Sequence, residues 1–212
     1  MIIAVDGPSG SGKSTISKIV AKHLNINYLD TGAMYRAVTY YAIENSLDLD
    51  KETEIISNID KIKITFNENK IFLNGLELKD EIRQPLVTQN VSKIASYKSV
   101  REFLVGQQQI IGKQSDCILD GRDIASVVFP EAEYKFYLNA SAQMRAHRRY
   151  LENKDKEFGQ SEEEILIEIE ARDIMDSTRK ESPLVKVSDA IEIDTSNIGI
   201  EEVVAEILKK IK

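Results

Sequence analysis

The chain has 212 residues, enough for one compact domain with a buried core and small inserted lobes. Its net charge of −7 argues against non-specific binding to nucleic acid, which needs a basic face. No apolar run approaches the ~18 residues a membrane span requires, and no leader precedes the first motif, so neither membrane segment nor signal peptide is expected. The lone Cys117 closes no internal disulfide and lies in an apolar strand pattern. A buried, inert thiol in a reducing cytoplasm is expected.

The 28 basic side chains divide as 9 Arg and 19 Lys, and the arginines cluster, with none between 37 and 82 or beyond 179. Arg grips phosphate with a fixed fork of donors. An acidic chain that keeps its arginines to a few segments reads as an anion-handling enzyme.

In chain order, Ile2-Ile3-Ala4-Val5-Asp6 predicts a buried parallel strand. A Gly-rich turn and a helix from about Ser14 to Leu24 follow. A second strand ends at Tyr28-Leu29-Asp30, and Thr31 is the expected N-cap of a helix to about Glu44. Lys63–Phe66 and Ile71–Leu73 flank the polar 67–70 turn, with Asn74-Gly75 beyond, which predicts an inserted antiparallel β unit. Helices over about 86–96 and 100–112 are expected next, then core strands at Cys117–Asp120 and Tyr134–Leu138. Charged helical sequence runs over about 142–180, broken near Phe158-Gly159. A last strand at Ala190–Asp194 precedes an amphipathic helix carrying Ile200, Val203, Val204, Ile207 and Leu208. Five short core strands with intervening helices predict an α/β fold: three layers around a five-stranded parallel sheet.

The most specific signal is Gly7-Pro8-Ser9-Gly10-Ser11-Gly12-Lys13-Ser14-Thr15, set between strand and helix. Glycines let backbone N–H groups wrap a phosphate, and the helix start adds partial positive charge. Lys13 is expected to reach the β- and γ-phosphates of ATP, and Ser14 to ligate Mg²⁺. Asp120 is a candidate Mg²⁺ carboxylate acting through water, with a turn-starting Asp as the alternative. No Asn-Lys-x-Asp guanine-reading segment is present, and the chain is short for a motor ATPase.

Further segments carry the acceptor signal: Leu29–Arg36, Val91-Ser92-Lys93-Ile94-Ala95 with Arg101, Leu119–Ile124, and Arg172–Arg179 followed by Ser182-Pro183-Leu184. Together with the P-loop they resemble the short form of the bacterial cytidylate kinase family, over essentially the whole chain. The inserted β unit near 62–78, which other nucleoside monophosphate kinases generally lack, is part of the resemblance. It implies a kinase core (about 1–35, 97–140 and 185–212), an acceptor-binding insert (about 36–96) and a helical lid (about 145–180). The implied reaction moves the γ-phosphoryl group of ATP, with Mg²⁺, to CMP or dCMP.

By the same resemblance Arg36 and Arg122 clamp the CMP phosphate, and Ser92, Arg101 and Asp123 read the cytosine edge. Arg172 and Asp176 hold the sugar, Thr31 and Tyr35 line the pocket, and Arg179 approaches the transferring phosphoryl group beside Lys13 and Arg122. The family's usual Asp-Ile-Gly-Thr is here Asp123-Ile124-Ala125-Ser126, which bears on the geometry around Asp123. Without the resemblance, Arg172 and Asp176 read as an i,i+4 salt bridge on an exposed helix. Arg145, Arg148 and Arg149 share one helix side, as a solvated face or a lid over ATP. Arg83 stays unassigned, and His23 reads as a surface or packing residue. Other readings are a kinase for UMP, AMP or shikimate, or a nucleotide-dependent switch. A monomeric, cytoplasmic protein that binds neither nucleic acid nor membrane is expected.

Overall fold

A computed structural model describes residues 1–67, 70–153 and 160–211. Strand β1 (Ile2–Asp6) enters the Gly-rich turn and α1 (Lys13–Leu24), and β2 (Asn27–Asp30) runs directly into α2 (Thr31–Glu44). After α3 (Glu52–Ile56) come three short strands, β3 (Ile64–Asn67), β4 (Lys70–Leu73) and β5 (Leu76–Leu78). Helices α4 (Pro85–Ile94) and α5 (Lys98–Gly112) return the chain to β6 (Cys117–Gly121) and β7 (Tyr134–Asn139). Then follow α6 (Ala142–Asn153), α7 (Glu162–Thr178), β8 (Ile191–Asp194) and α8 (Ile200–Lys210). The expected break at Phe158-Gly159 and part of the 67–70 turn lie outside the described residues.

The main sheet has the order β2-β6-β1-β7-β8 and is parallel throughout. Strand β1 is central, and its run of apolar residues is buried on both faces, as a central parallel strand requires. Ile3, Val5, Ile118 and Phe136 pack toward α1 and α8, against Ile16, Val20, Val203 and Ile207. Ala4, Leu29 and Leu119 face the other way, against Met34, Val38, Ile94 and Leu104. Each fully buried aliphatic side chain contributes about 1.5–3 kcal/mol, so these two cores hold the three layers together.

The inserted unit is a three-stranded antiparallel sheet, β3-β4-β5. Asn74 and Gly75 both take positive φ (51° and 85°) and form the two-residue turn from β4 to β5. Strand β5 is an addition to the two strands the sequence pattern indicated, because three residues are too few to show alternation. Ile64, Ile71, Leu73 and Leu78 bury one face against the core beneath α2.

The cap of α2 corrects the expectation. Asp30, not Thr31, is the N-cap, with its carboxylate accepting from the Ala33 N–H at 2.8 Å. Thr31 is the first helical residue, and its hydroxyl donates to the Asp120 carbonyl at 2.7 Å. The strand therefore passes into the helix one residue early, freeing Thr31 to tie α2 to β6.

The carboxyl end of β1 is tightly held. A Cβ on Gly7 would lie 2.0 Å from the Leu138 carbonyl oxygen, and its φ of 148° disfavours L side chains. Gly7→Ala is expected to lower the unfolding free energy by about 3 kcal/mol, measured by urea denaturation. Gly106→Ala, where a Cβ meets nothing within 4 Å inside α5, should instead be neutral or stabilise by up to ~1 kcal/mol.

Candidate active site

The P-loop joins β1 to α1, with Gly10 and Gly12 at positive φ (80° and 88°). Gly12 is the N-cap of α1 and offers no side chain, so the first-turn N–H groups point into the loop. Lys13 is buried, and its ammonium donates to the Pro8 carbonyl at 2.6 Å and to Ser11 Oγ at 3.3 Å. Burial first, and the nearby Arg122 second, hold it well below the usual ammonium range.

Helix α6 supports this loop from one side. Arg145 donates to the Ser9 carbonyl at 3.1 Å and to the Ala140 carbonyl at 2.9 Å, and its two Nη atoms pair with Asp173 at 3.1 and 2.6 Å. Arg148 donates to the hydroxyl and carbonyl of Thr195, whose own hydroxyl lies 3.1 Å from the Ser11 carbonyl. Arg149 reaches Ser9 Oγ at 3.3 Å, and burial lowers its pKa. The three arginines thus differ: Arg145 is a buried strut, while Arg148 and Arg149 line the adjoining cavity.

Carboxylates gather at the carboxyl ends of β1, β2 and β6, where ligands of open α/β sheets bind. Asp30 and Asp120 are register partners. Asp120 accepts from Ser14 Oγ at 2.7 Å and from the Tyr28 hydroxyl at 2.9 Å. Burial first, then Asp30, push it up to about 6. Asp30 pairs with Arg36 at 3.0 Å, and burial, which opposes its ionisation, is outweighed by Arg36 and the Ala33 N–H. Asp6 accepts from the Ile124 and Ala125 N–H groups at 2.8 Å each. Burial drives it up to about 7 despite those bonds.

On the far side, α2, α4, α5, the segment after β6, and α7 converge. Arg122 Nε donates to Asp176 at 2.9 Å, with Arg179 at 3.8 Å and Arg172 at 3.9 Å from the same carboxylate. Ser92 donates to Asp176 at 3.3 Å. Burial raises the Asp176 pKa, but the three guanidinium groups outweigh it and hold the carboxyl low. Arg101 is ion-paired with Asp123 and stacked 5.2 Å from the centre of the Tyr35 ring, and Arg179 lies 4.0 Å from Asp123. Burial and Arg122 pull Arg172 down to about 9, the mark of crowded buried cations. Among the described residues, Arg36 Nε, Arg172 Nε and Arg179 Nη2 are buried and make no hydrogen bond, leaving donors for an anion.

These groups share one cavity of about 600 Å³. Ser9 to Thr15 and Asp120 line one end, and Thr31, Tyr35, Arg36, Ser92, Arg101, Arg122, Asp123, Arg172, Asp176 and Arg179 line the other. Arg83 lines it too, whereas Gly7 and Pro8 are buried and do not line it. His23 is exposed at the end of α1. Sequence reasoning missed Asp6, Tyr28, Asp173 and Thr195 as site-supporting residues. For Asp6 and Thr195 a signal existed: each falls at or next to the carboxyl end of a core strand.

Parallel sheet, P-loop and a second arginine-rich pocket facing it define a P-loop kinase fold. Among solved structures, shikimate kinase from Bacteroides thetaiotaomicron has a TM-score of 0.52 at 11% identity, over 99% of this chain and 97% of that one, a likeness of fold alone. The cytidylate kinase family model matches residues 3–212. This chain belongs to the cytidylate kinase family. It is 50% identical to the cytidylate kinase of Clostridioides difficile (strain 630) over 211 residues, covering 100% of this chain and 98% of that protein. Identity to the cytidylate kinase of Fusobacterium nucleatum subsp. nucleatum is 47% over 212 residues, covering 100% and 97%.

The Asp6 environment has a consequence for pH. Its folded pKa of about 7 lies above the ordinary carboxyl value of 3.8, so the folded protein binds the proton more tightly than the unfolded chain. The stability it contributes is full below about pH 4 and is lost as pH rises through about 7. Carboxyl-carbon NMR is expected to give Asp6 a midpoint near 7. A midpoint near 4 would contradict the assigned environment.

Proposed function

We infer that the protein transfers the γ-phosphoryl group of ATP to CMP or dCMP, giving ADP and CDP or dCDP. The observation that carries this reading is the single cavity in which Lys13 and Ser14 face the Arg36, Arg122, Arg172 and Arg179 group. The acceptor is a phosphate that is already anionic, so the reaction needs positioning and charge neutralisation rather than a strong base. P-loop amides and Lys13 hold the donor phosphates. Arg36 and Arg122 hold the acceptor phosphate, and Arg179 meets the charge that develops on the transferring group.

Cytosine presents an amino donor beside ring-nitrogen and carbonyl acceptors. Asp123 has oxygen lone pairs beyond the one engaged by Arg101 and accepts from the amino group, while Ser92 and Arg101 donate to the acceptors. Thr31 and Tyr35 close the pocket wall, and Arg172 and Asp176 engage the sugar. Ser14 Oγ and Asp120 supply hard oxygen donors and fit a Mg²⁺ that keeps most of its ligands as phosphate and water, with Asp120 acting through water. Bound there, Mg²⁺ would neutralise phosphate charge. The inserted segment 36–96 serves as the acceptor lobe, and 145–180, carrying Arg145, Arg148 and Arg149, serves as the lid. The net charge of −7 and the buried thiol of Cys117 favour a cytoplasmic protein that binds no nucleic acid, and we take it to act as a monomer.

ADP release would be followed with Mg-ATP and CMP, dCMP, UMP, AMP, GMP or shikimate. CMP or dCMP should stimulate it most, and chelation of Mg²⁺ by EDTA should abolish it. No stimulation by either cytidine nucleotide would overturn the reading. Arg101→Ala or Asp123→Ala is expected to reduce kcat/KM for CMP by about 100-fold or more while ATP affinity changes by less than about threefold. A loss of ATP affinity with CMP selectivity intact would refute the assignment of these two residues to the base.

A further inference from the structure

Asp6 takes no part in the transfer as assigned above, yet it is buried at the carboxyl end of β1, one residue before the P-loop, with 2% of its surface exposed. Its two oxygens accept the N–H groups of Ile124 and Ala125, one each. These amides immediately follow Asp123. The Asp123 carbonyl in turn accepts the Val127 and Val128 N–H groups at 2.9 and 3.1 Å, closing a wide single turn over Ile124–Val128. The neighbouring Ser126 hydroxyl is buried without a hydrogen-bond partner, so that side chain adds no anchor.

Asp6 has little freedom to move. It is in register with Gly121 on β6 and Tyr137 on β7, and the next residue, Gly7, is packed against the Leu138 carbonyl. A carboxylate fixed to the central strand thus sets the backbone from which Asp123 reaches Arg101. We propose that Asp6 is a positioning residue for nucleobase selection: through the Ile124 and Ala125 amides it holds the Asp123–Arg101 pair at a fixed place relative to the start of the P-loop. The proposal rests on the CMP reading above.

Asp6→Asn keeps the volume and one acceptor but turns an amide group toward the second N–H. Asp6→Glu keeps the charge and displaces both oxygens by one methylene. Both variants would be assayed beside the wild type with CMP and UMP, with ATP affinity and melting temperature read on the same samples. KM for CMP is expected to rise about 10-fold and the CMP-over-UMP preference in kcat/KM to fall about 10-fold, with ATP affinity within about twofold of wild type. A lower melting temperature with CMP preference unchanged, or parallel losses toward ATP and CMP, would overturn the proposal and leave Asp6 a scaffold residue. Failure of both variants to fold would do the same. A wild type that is not stimulated by CMP would instead sink the functional reading, which separates the two failures.

Discussion

Several guanidinium groups are packed around two buried carboxylates, Asp123 and Asp176, and that arrangement organises the arginine-rich end of the cavity. Taking cations out of water is costly, and like charges a few ångströms apart add to the cost. Asp176 offsets it for Arg122, Arg172 and Arg179, and Asp123 for Arg101. The compensation is incomplete, as the lowered pKa of Arg172 indicates. A site left with excess positive charge and unused donors is suited to an anion. Arginine suits this role better than lysine because its charge is retained on burial and its planar fork divides between carboxylate and ligand.

The same logic explains where the pieces sit. Carboxyl ends of parallel strands gather at one edge of the sheet, and the chain reverses its winding at β1, between β6 and β7. Asp6, Asp30 and Asp120 each end or nearly end a strand there, but their surroundings give them different tasks. Asp30 balances Arg36, Asp120 receives hydroxyls from Ser14 and Tyr28, and Asp6 receives amides alone. Burial raises Asp6 and Asp120 despite the bonds they accept, whereas Arg36 outweighs burial at Asp30, so three chemically identical groups on adjacent strands differ in proton affinity.

The parallel sheet was legible in the sequence because fully buried strands read as short apolar runs between helical periods, and the P-loop because its spacing is tied to backbone geometry. Acceptor-side residues such as Arg101 and Asp123 are 22 positions apart and share no local pattern; only their membership in recognisable motifs placed them together. Asp6 was visible only as the end of a strand, since its partners are backbone amides 118 and 119 residues away, and amides carry no sequence signal. The Thr31 cap was misplaced for a related reason. Asp30 and Thr31 are both good N-caps, and the choice between them depends on the tertiary bond from Thr31 to the Asp120 carbonyl. Strand β5 escaped because three residues cannot establish a period of two.

Arg145 shows most clearly how a surface-like pattern becomes an internal one. Its spacing with Arg148 and Arg149 suits a solvated helix face, and nothing local distinguishes it from them. Yet it is buried, bonded to the P-loop at Ser9 and paired with Asp173 on α7. Asp173 lies next to Arg172 and one turn before Asp176. One guanidinium therefore joins the P-loop to the helix that carries Arg172 and Asp176. Because each of its bonds is directional, a displacement of α7 by an ångström would strain the P-loop contact as well. Arg145 joins Ser9 of the P-loop to Asp173 on α7, and Asp6 joins the end of β1 to the Ile124 and Ala125 amides, so two buried side chains tie the P-loop strand and its loop to distant segments of the cavity wall.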